Sequence, residues 1–334
     1  MTKQLSILVP IYNVEKYIRA CFESIFRQGL PDDSYEIIVV NDGTPDRSME
    51  VVADLLEQHN NITIINQENL GLSIARNVAF DRAVGEYVLF LDPDDLLAKN
   101  SLPIVSEKAI ESKADMVVAD FIPFKDSEIS VIQQQPLGPE SVTWEERTGR
   151  ELFMSELGYG RLCVWHRLHR REFLIKKHIR FIPGILSEDM PFSYECLYLA
   201  ERCLKTNLVL NLYRKWEGAI TSNFTRKFIS GWIIAYSRAW VYDKKGGLTN
   251  QQYLMYKHWM WIRFNDFINR VILEFPSFSE KLEIIDEFAK TNPDLNFSND
   301  RVQRKITLLF KISPRLLMMV WTIKNKMGKA LMNG

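Results

Sequence analysis

The chain has 334 residues, 46% of them hydrophobic and 25% charged, and its 42 basic and 42 acidic side chains cancel to a formal charge of zero. That composition supports a soluble, ordered chain with one large core and an extension. It excludes a disordered chain, and no repeat or low-complexity tract interrupts it.

Leu5-Ser-Ile-Leu-Val9 is predicted as a strand, followed by the turn Pro10-Ile-Tyr12-Asn13 and a helix capped by Asn13. In that helix Val14, Tyr17, Ile18, Cys21, Phe22, Ile25 and Phe26 form one apolar face. Tyr35-Glu-Ile-Ile-Val-Val40 reads as a second strand running into Asn41-Asp42-Gly43-Thr44-Pro45. Thr44 as N-cap and Pro45 at the first helical position start a second helix. Ile62-Thr-Ile-Ile-Asn66 is a third strand, and Gly71-Leu-Ser73-Ile-Ala-Arg76-Asn77 opens a third helix capped by Ser73. Residues 87–91 form a fourth, buried strand that ends in three carboxylates within four positions, Asp92, Asp94 and Asp95. Ligands of open α/β sheets bind at such strand ends. Like charges this close repel. A cation with a preference for hard oxygen ligands, Mg²⁺ or Mn²⁺, relieves that repulsion and can bridge to a diphosphate. The plain alternative is a solvated turn that caps the next helix. The order β-α-β-α-β-α-β with short connections predicts a parallel sheet covered on both faces.

Four blocks in this order and spacing carry a resemblance. They are Ser6-Ile-Leu-Val-Pro10-Ile-Tyr-Asn13, Val40-Asn-Asp42-Gly43, Asn69-Leu-Gly71-Leu-Ser-Ile-Ala-Arg76-Asn77 and Gly85-Glu-Tyr-Val-Leu-Phe-Leu-Asp92-Pro-Asp94-Asp95. Together they resemble the family 2 glycosyltransferases of the kind that build bacterial capsular or other surface polysaccharides. The match is close over roughly the first 120 residues, and a set of blocks is far more specific than any one of them. The resemblance implies the GT-A fold: an α/β, mostly parallel sheet flanked by helices, here with a helical C-terminal extension. It also implies roles. Pro10, Tyr12 and Asn13 would line the nucleotide base, with Tyr12 offering a stacking face. Glu15 would reach the ribose or base, and Asp42 would accept the imide N–H of a uracil. Arg76 would lie near the base or diphosphate. Asp94 would bind the metal directly, and Asp92 would help through the ribose or a water on the cation. Structural alternatives stand beside three of these: Asp42-Gly43 as a turn, Arg76 paired with a neighbouring acid, and Glu15 as a first-turn acid on the helix dipole. Asn41 stands where the family commonly has a second Asp.

A second region holds Val164-Trp165-His-Arg167-Leu-His-Arg-Arg-Glu172-Phe and, further on, Ser187-Glu188-Asp189-Met-Pro-Phe192. The resemblance implies that Asp189 is the base that deprotonates the acceptor hydroxyl, with Glu188 orienting or coordinating nearby. The alternative is a helix start, with Ser187 as N-cap and two acids favoured by the dipole. His166, Arg167 and His169 depart from the family's usual small amide, Lys and aromatic residue, which bears on acceptor contacts. Trp165 is the expected acceptor platform, while Trp144 reads as core. Leu208 to Lys215 reads as a strand, its continuation through Gly218 to Ser222 resembles a family loop that folds over the diphosphate, and the resemblance implies that Arg214, Lys215 and Thr221 help neutralise the leaving group. The expected division is a catalytic domain over 1–222, with nucleotide-sugar binding in 1–120 and the acceptor side and base in 121–222. A helical extension follows over 223–334.

Within that extension Trp259, Met260, Arg263, Phe267 and Val271 show helical core spacing. Residues 301–334 hold eight Lys or Arg and no acid, which leaves 34 basic against 42 acidic side chains over 1–300. The segment's apolar residues run from Leu308 to Trp321. It suits either an anionic membrane surface, beside a lipid-linked acceptor, or the acidic remainder of its own chain. No signal peptide and no membrane-spanning run is expected, so the anticipated location is the cytoplasm, at most peripheral on the inner face of the membrane. Cys21, Cys163, Cys196 and Cys203 show no metal spacing and read as buried thiols. The expected partners are a UDP-sugar donor and a glycan or lipid-linked glycan acceptor, with no nucleic acid, because aromatics are not interleaved with basic residues. A dehydrogenase lacks its G-x-G-x-x-G after the first strand, and a sugar-phosphate nucleotidyltransferase lacks its glycine-rich loop. A non-catalytic nucleotide- or glycan-binding protein of the same fold is the remaining alternative.

Overall fold

A computed structural model describes residues 3–129, 141–159, 161–216, 224–296 and 301–332. The chain divides into two compact units. The first comprises residues 1–153, 162–184 and 188–223, and the second 154–161, 185–187 and 224–334.

The first unit opens with β1 (Leu5–Ile11), α1 (Ile18–Phe26), β2 (Tyr35–Asp42), α2 (Ser48–Glu57), β3 (Ile62–Gln67), α3 (Leu72–Arg82) and β4 (Tyr87–Phe90). It continues through β5 (Leu96–Leu97), α4 (Ser101–Ser112), β6 (Met116–Phe124), β7 (Trp144–Arg147) and α5 (Gly149–Tyr159), whose end belongs to the second unit. Then come β8 (Arg167–Arg170), α6 (Arg171–Lys176), α7 (Asp189–Leu199) and β9 (Cys203–Arg214). The strands form one sheet in the order β3-β2-β1-β4-β8-β6-β9-β5, with β7 paired to β9. The first four strands are mutually parallel, as their apolar runs predict, and β8 is antiparallel to both β4 and β6. Every residue of β1 and β4 is buried, which is why these strands lack alternation. β3, at the edge, is half exposed. Ile18, Cys21, Phe22 and Ile25 of α1 pack with Ile7, Val9, Ile37 and Val39 in the main core.

The expected helix starts are corrected. α1 begins at Ile18 and not at Val14, because Asn13 takes a left-handed turn, φ 55°. α2 begins at Ser48, so Thr44 and Pro45 lie in the loop before it. The residue preceding α3 is Gly71, φ 92°, and the buried Ser73 makes no cap bond. Ser187 is also left-handed, φ 64°, and α7 starts at Asp189. In the second case the hydroxyl that local preference assigns to a cap, Thr44 Oγ1, instead accepts from the Asn13 backbone N–H of the other loop.

The second unit contains α8 (Arg226–Lys245), α9 (Asn250–Glu274), α10 (Phe278–Thr291), α11 (Arg301–Ile312) and α12 (Pro314–Met332). Its core is aromatic. Phe288 of α10 meets Tyr236, Phe264, Phe267 and Phe310 at ring separations of 4.6–5.8 Å. Side chains of Thr249 and Ser277 accept N–H bonds at the starts of α9 and α10. No helix among the described residues is long and apolar enough to cross a membrane.

Candidate functional site

The expected site residues all lie in the first unit. β1 sits between β2 and β4, so strand order reverses there, and such a switch point opens at the carboxyl ends of the strands. The β1–β4 ladder ends at Leu8 and Phe90, while β1 and β2 stay paired as far as Ile11 and Asn41. Pro10 is buried within β1, and Tyr12, just beyond it, is 45% exposed.

Consecutive backbone donors then stitch two loops together. Asn13 N–H donates to Thr44 Oγ1 at 2.8 Å, Val14 N–H to Ser48 Oγ at 3.0 Å and Glu15 N–H to Asp46 Oδ2 at 2.8 Å. Glu15 Oε2 accepts from Arg47 N–H at 3.0 Å. Partial burial raises the Asp46 carboxyl, but bonds from Ser48, Thr44 and the Glu15 N–H bring it down to about 2.

Asp42 closes β2. Its Oδ1 accepts from Gln67 Nε2 at 2.6 Å and Leu70 N–H at 2.9 Å, and its Oδ2 from Gly71 N–H at 2.9 Å. A carboxylate has about four lone-pair positions, so one remains for a further donor. Gly43 must be glycine: its φ is +64°, and a Cβ there would stand 2.8 Å from Asn69 N.

The strand-tip carboxylates divide their work. Asp95 is buried, accepting from Arg214 N–H at Oδ1 and from Asn211 Nδ2 at Oδ2, both at 2.8 Å. Burial, then Asp94 and Asp92, push its carboxyl well above the usual range. Asp94 is raised by burial and by Asp92, and its Oδ2 accepts from Trp216 Nε1 at 2.8 Å. Arg214 donates through Nε to the Asp94 carbonyl at 2.6 Å and pairs with Asp126. Its guanidinium lies over the rings of Tyr17 and Phe124.

Arg76 joins the two sequence regions. Its side chain is 1% exposed and grips Asp92 Oδ1 at 2.6 Å, Glu188 Oε1 at 2.7 Å and Asp189 Oδ1 at 2.6 Å. Its guanidinium also faces Phe181, whose ring stacks on Phe192. Burial works against the Arg76 charge, but Asp189, Asp92 and Glu188 more than offset it. Asp189 is pushed up to about 7 by burial, with Glu188 and Asp92 adding and Arg76 opposing. Val164 N–H points to its second oxygen at 3.4 Å. The arrangement therefore holds a carboxyl that changes charge near neutrality beside the strand-tip acids.

The tryptophan-basic segment is placed differently from an exposed platform. Trp165 is 3% exposed, stacked on Tyr213 and edge-on to Phe121. His166, Arg167 and His169 are likewise buried. His169 stands among Phe90 and Phe192, as an aromatic residue would, and burial followed by Arg167 lowers it to about 3, so it is neutral. Trp144 is half-buried against the main core. Thr221 lies outside the described residues.

Residues 6–174 match the family model described as Glycosyl transferase family 2. The chain belongs to that family. Among its relatives, GlyA of Streptococcus pneumoniae serotype 4, a glycosyltransferase, is 30% identical over 76% of this chain and 36% of its own length. EpsJ of Bacillus subtilis, named an uncharacterized glycosyltransferase, is 34% identical over 66% of this chain and 64% of its own. The chain thus spans from about a third to two thirds of these relatives. The crystal structure of S. aureus TarS 1–349 in complex with UDP-GlcNAc superposes with a TM-score of 0.75 at 19% identity, covering 97% of this chain and 92% of that one. The likeness carries the fold: a GT-A-like sheet flanked by helices, with a helical C-terminal region.

Several contributors escaped the sequence reading. Asn77 bonds the Phe181 backbone through both Nδ2 and Oδ1, so adjacent residues of one family 2 block grip the second region together. Asp46 and Asn211 also act here without any local pattern to mark them; only the density of polar residues after β2 hints at Asp46.

Proposed function

We propose that the chain transfers a sugar from a UDP-sugar to a hydroxyl of a glycan or lipid-linked glycan, with inversion at the anomeric carbon and with the help of a divalent cation. The observation that carries this reading is the convergence on Arg76 of Asp92, from the first sequence region, and Asp189, from the second. A base must be ionised to act and protonated once it has acted, and a carboxyl near 7 suits both states at neutral pH. In this reading Asp189 takes the proton of the acceptor hydroxyl as that oxygen attacks, and the nucleoside diphosphate leaves in the same displacement. Glu188 and Arg76 hold Asp189 in place. Tyr12 stacks on the base, Asp42 offers its remaining lone pair to the uracil imide, and Glu15 faces the ribose. UDP as the nucleotude's identity is supported by complexes of TarS 1–349 with UDP-GlcNAc and with UDP.

The residues present fit a cation that takes most of its ligands from substrate. Asp94 and Asp95 are both raised, first by burial and then by the neighbouring carboxylates, and a cation would relieve the second contribution. Among the described residues no three acids, imidazoles or thiols are grouped to hold a metal alone. Mg²⁺ characteristically uses one or two carboxylates plus phosphate oxygens and water. Asp94, aided by Asp92, would hold it, and it would supply charge neutralisation for the leaving diphosphate. The setting would be surface-polysaccharide synthesis at the inner face of the membrane.

The test is calorimetric titration of UDP, GDP and CDP with and without Mn²⁺. UDP binding that needs Mn²⁺ and disappears in Asp94→Ala is the expected result, followed by UDP-sugar hydrolysis that Asp189→Asn abolishes. Folded protein that binds no nucleotide would overturn the reading.

A further inference from the structure

The last two helices of the second unit turn the wrong residues outward. α11 buries Gln303 and Thr307 while Val302, Leu308 and Ile312 are exposed, Ile312 at 71%. α12 seats Leu317 and Met318 inside its unit, together with Phe310 from α11, whose ring meets Phe264 and Phe288. Arg315 fixes this docking with an ion pair to Asp286 at 2.6 Å. On the other side of α12, Leu316, Met319, Val320 and Ile323 are all exposed. Their spacing, i, i+3, i+4 and i+7, is that of one continuous helical face. The two helices are therefore already packed on their own unit, and a second apolar stripe is left over.

The charge around that stripe says what covers it. Residues 301–334 carry eight Lys or Arg and no acid, in a chain whose remainder is net acidic. Lys305 and Lys311 are exposed on α11, as are Leu308 and Ile312. A segment that exposes an apolar stripe and carries eight cations and no carboxylate of its own suits a layer that is apolar inside and anionic at its surface. We infer that the exposed face of α11 and α12, centred on Leu316, Met319, Val320 and Ile323, docks the chain on a bilayer rich in anionic lipid. This deepens the glycosyltransferase reading by naming the surface on which a lipid-linked acceptor is met. It is read out separately from nucleotide binding.

The experiment is co-sedimentation of the whole chain with phosphatidylcholine vesicles, with and without phosphatidylglycerol. The wild type pellets only with the anionic vesicles, and less as salt is raised. Val320→Asp combined with Ile323→Asp lowers vesicle partitioning by at least about tenfold. Lys305→Glu with Lys311→Glu lowers it on anionic vesicles as well. Both residue pairs are exposed, so circular dichroism, thermal unfolding and UDP titration are unchanged, which separates failure of docking from failure of the donor site. Wild-type protein that stays in the supernatant with every vesicle overturns the inference. So does pelleting that the paired aspartates leave intact. A wild type that ignores vesicles but self-associates, with the aspartate variant monomeric, reassigns the face to contact between copies of this chain.

Discussion

The sheet unit and the helical unit are held by different kinds of buried group. In the first, Arg76, Asp95 and Asp42 are buried and bond to segments far apart in sequence. In the second, the interior is Tyr236, Phe264, Phe267 and Phe288, and its buried Lys257 lies over the Trp240 ring while donating to the Asn296 carbonyl. Directional ionic bonds fix where a carboxylate stands to within a fraction of an ångström and tune its proton affinity. Aromatic packing fixes only that a helix stays. A unit that positions chemistry is expected to use the first kind, and a unit that supports it the second.

The largest effect that tests this contrast is on turnover. Asp189→Asn keeps the shape and the Arg76 contact but cannot accept a proton. We expect sugar transfer to fall by about 10²–10⁴-fold with UDP affinity within twofold of wild type, roughly the range for loss of a general base. A fall in nucleotide affinity of the same size would make Asp189 a structural partner of Arg76 and no more.

Next come paired truncations, one from each unit. Arg76→Ala leaves Asp92, Glu188 and Asp189 without their shared cation and should cost about 3–5 kcal/mol in denaturant unfolding at neutral pH. Phe288→Ala empties the aromatic cluster and should cost about the same. The pH dependence distinguishes them. Orphaned carboxylates have raised folded pKa values, so the Arg76→Ala deficit shrinks as pH falls and they protonate, whereas the Phe288→Ala deficit stays flat. Parallel behaviour of the two variants would remove the distinction between the units.

Much of this contrast was legible in the sequence, unevenly. Strands β1 and β4 were readable because fully buried strands are continuous apolar runs, and the strand-tip acids were readable because they are adjacent. Asp92, Asp94 and Asp95 nonetheless look alike in sequence, and only tertiary contacts distinguish them: Asn211 and Arg214 occupy Asp95, Trp216 meets Asp94, and Arg76 meets Asp92. The caps were misread for the same reason. Thr44 has good local capping chemistry, yet its hydroxyl accepts from the backbone of the Asn13 loop, and Asn13 itself takes a left-handed turn. The convergence of Arg76 with Glu188 and Asp189 spans more than a hundred residues and leaves no local pattern. Trp165 shows the converse: an aromatic that pattern alone offers to an acceptor is packed on Tyr213.

A smaller effect follows from the Asp189 proton. Its carboxyl lies near 7 in the folded chain and near 3.8 when unfolded, so the folded state holds more protons between those values. Stability from this group is present below about pH 4 and is lost as pH rises through about 7. Asp189→Asn should flatten the slope of unfolding free energy over that window. The wild-type rate should rise through the same upper limit as the base ionises. An unchanged slope in the variant would assign the window to another group.

The smallest effect concerns a single hydrogen bond and sharpens the contrast within the sheet unit itself. Trp216 Nε1 donates to Asp94 Oδ2, and the ring rests against Tyr17 at 5.1 Å. Trp216→Phe keeps an aromatic ring there but removes the donor. A cation that uses Oδ2 competes with the indole N–H, so the variant should bind Mn²⁺ with UDP more tightly, by up to about tenfold, the scale of one bond to a charged acceptor. The Asp94 carboxyl, deprived of a donor that favours its charged form, should rise further in the metal-free chain. Calorimetry reads the first change and carboxyl-resolved NMR the second. Tighter binding together with a higher Asp94 pKa makes Trp216 a group that shields this carboxylate until a cation replaces it. A higher pKa with unchanged Mn²⁺ affinity means that the cation takes the other oxygen, and that the indole bond is structural in the way the Asn211 bond to Asp95 is.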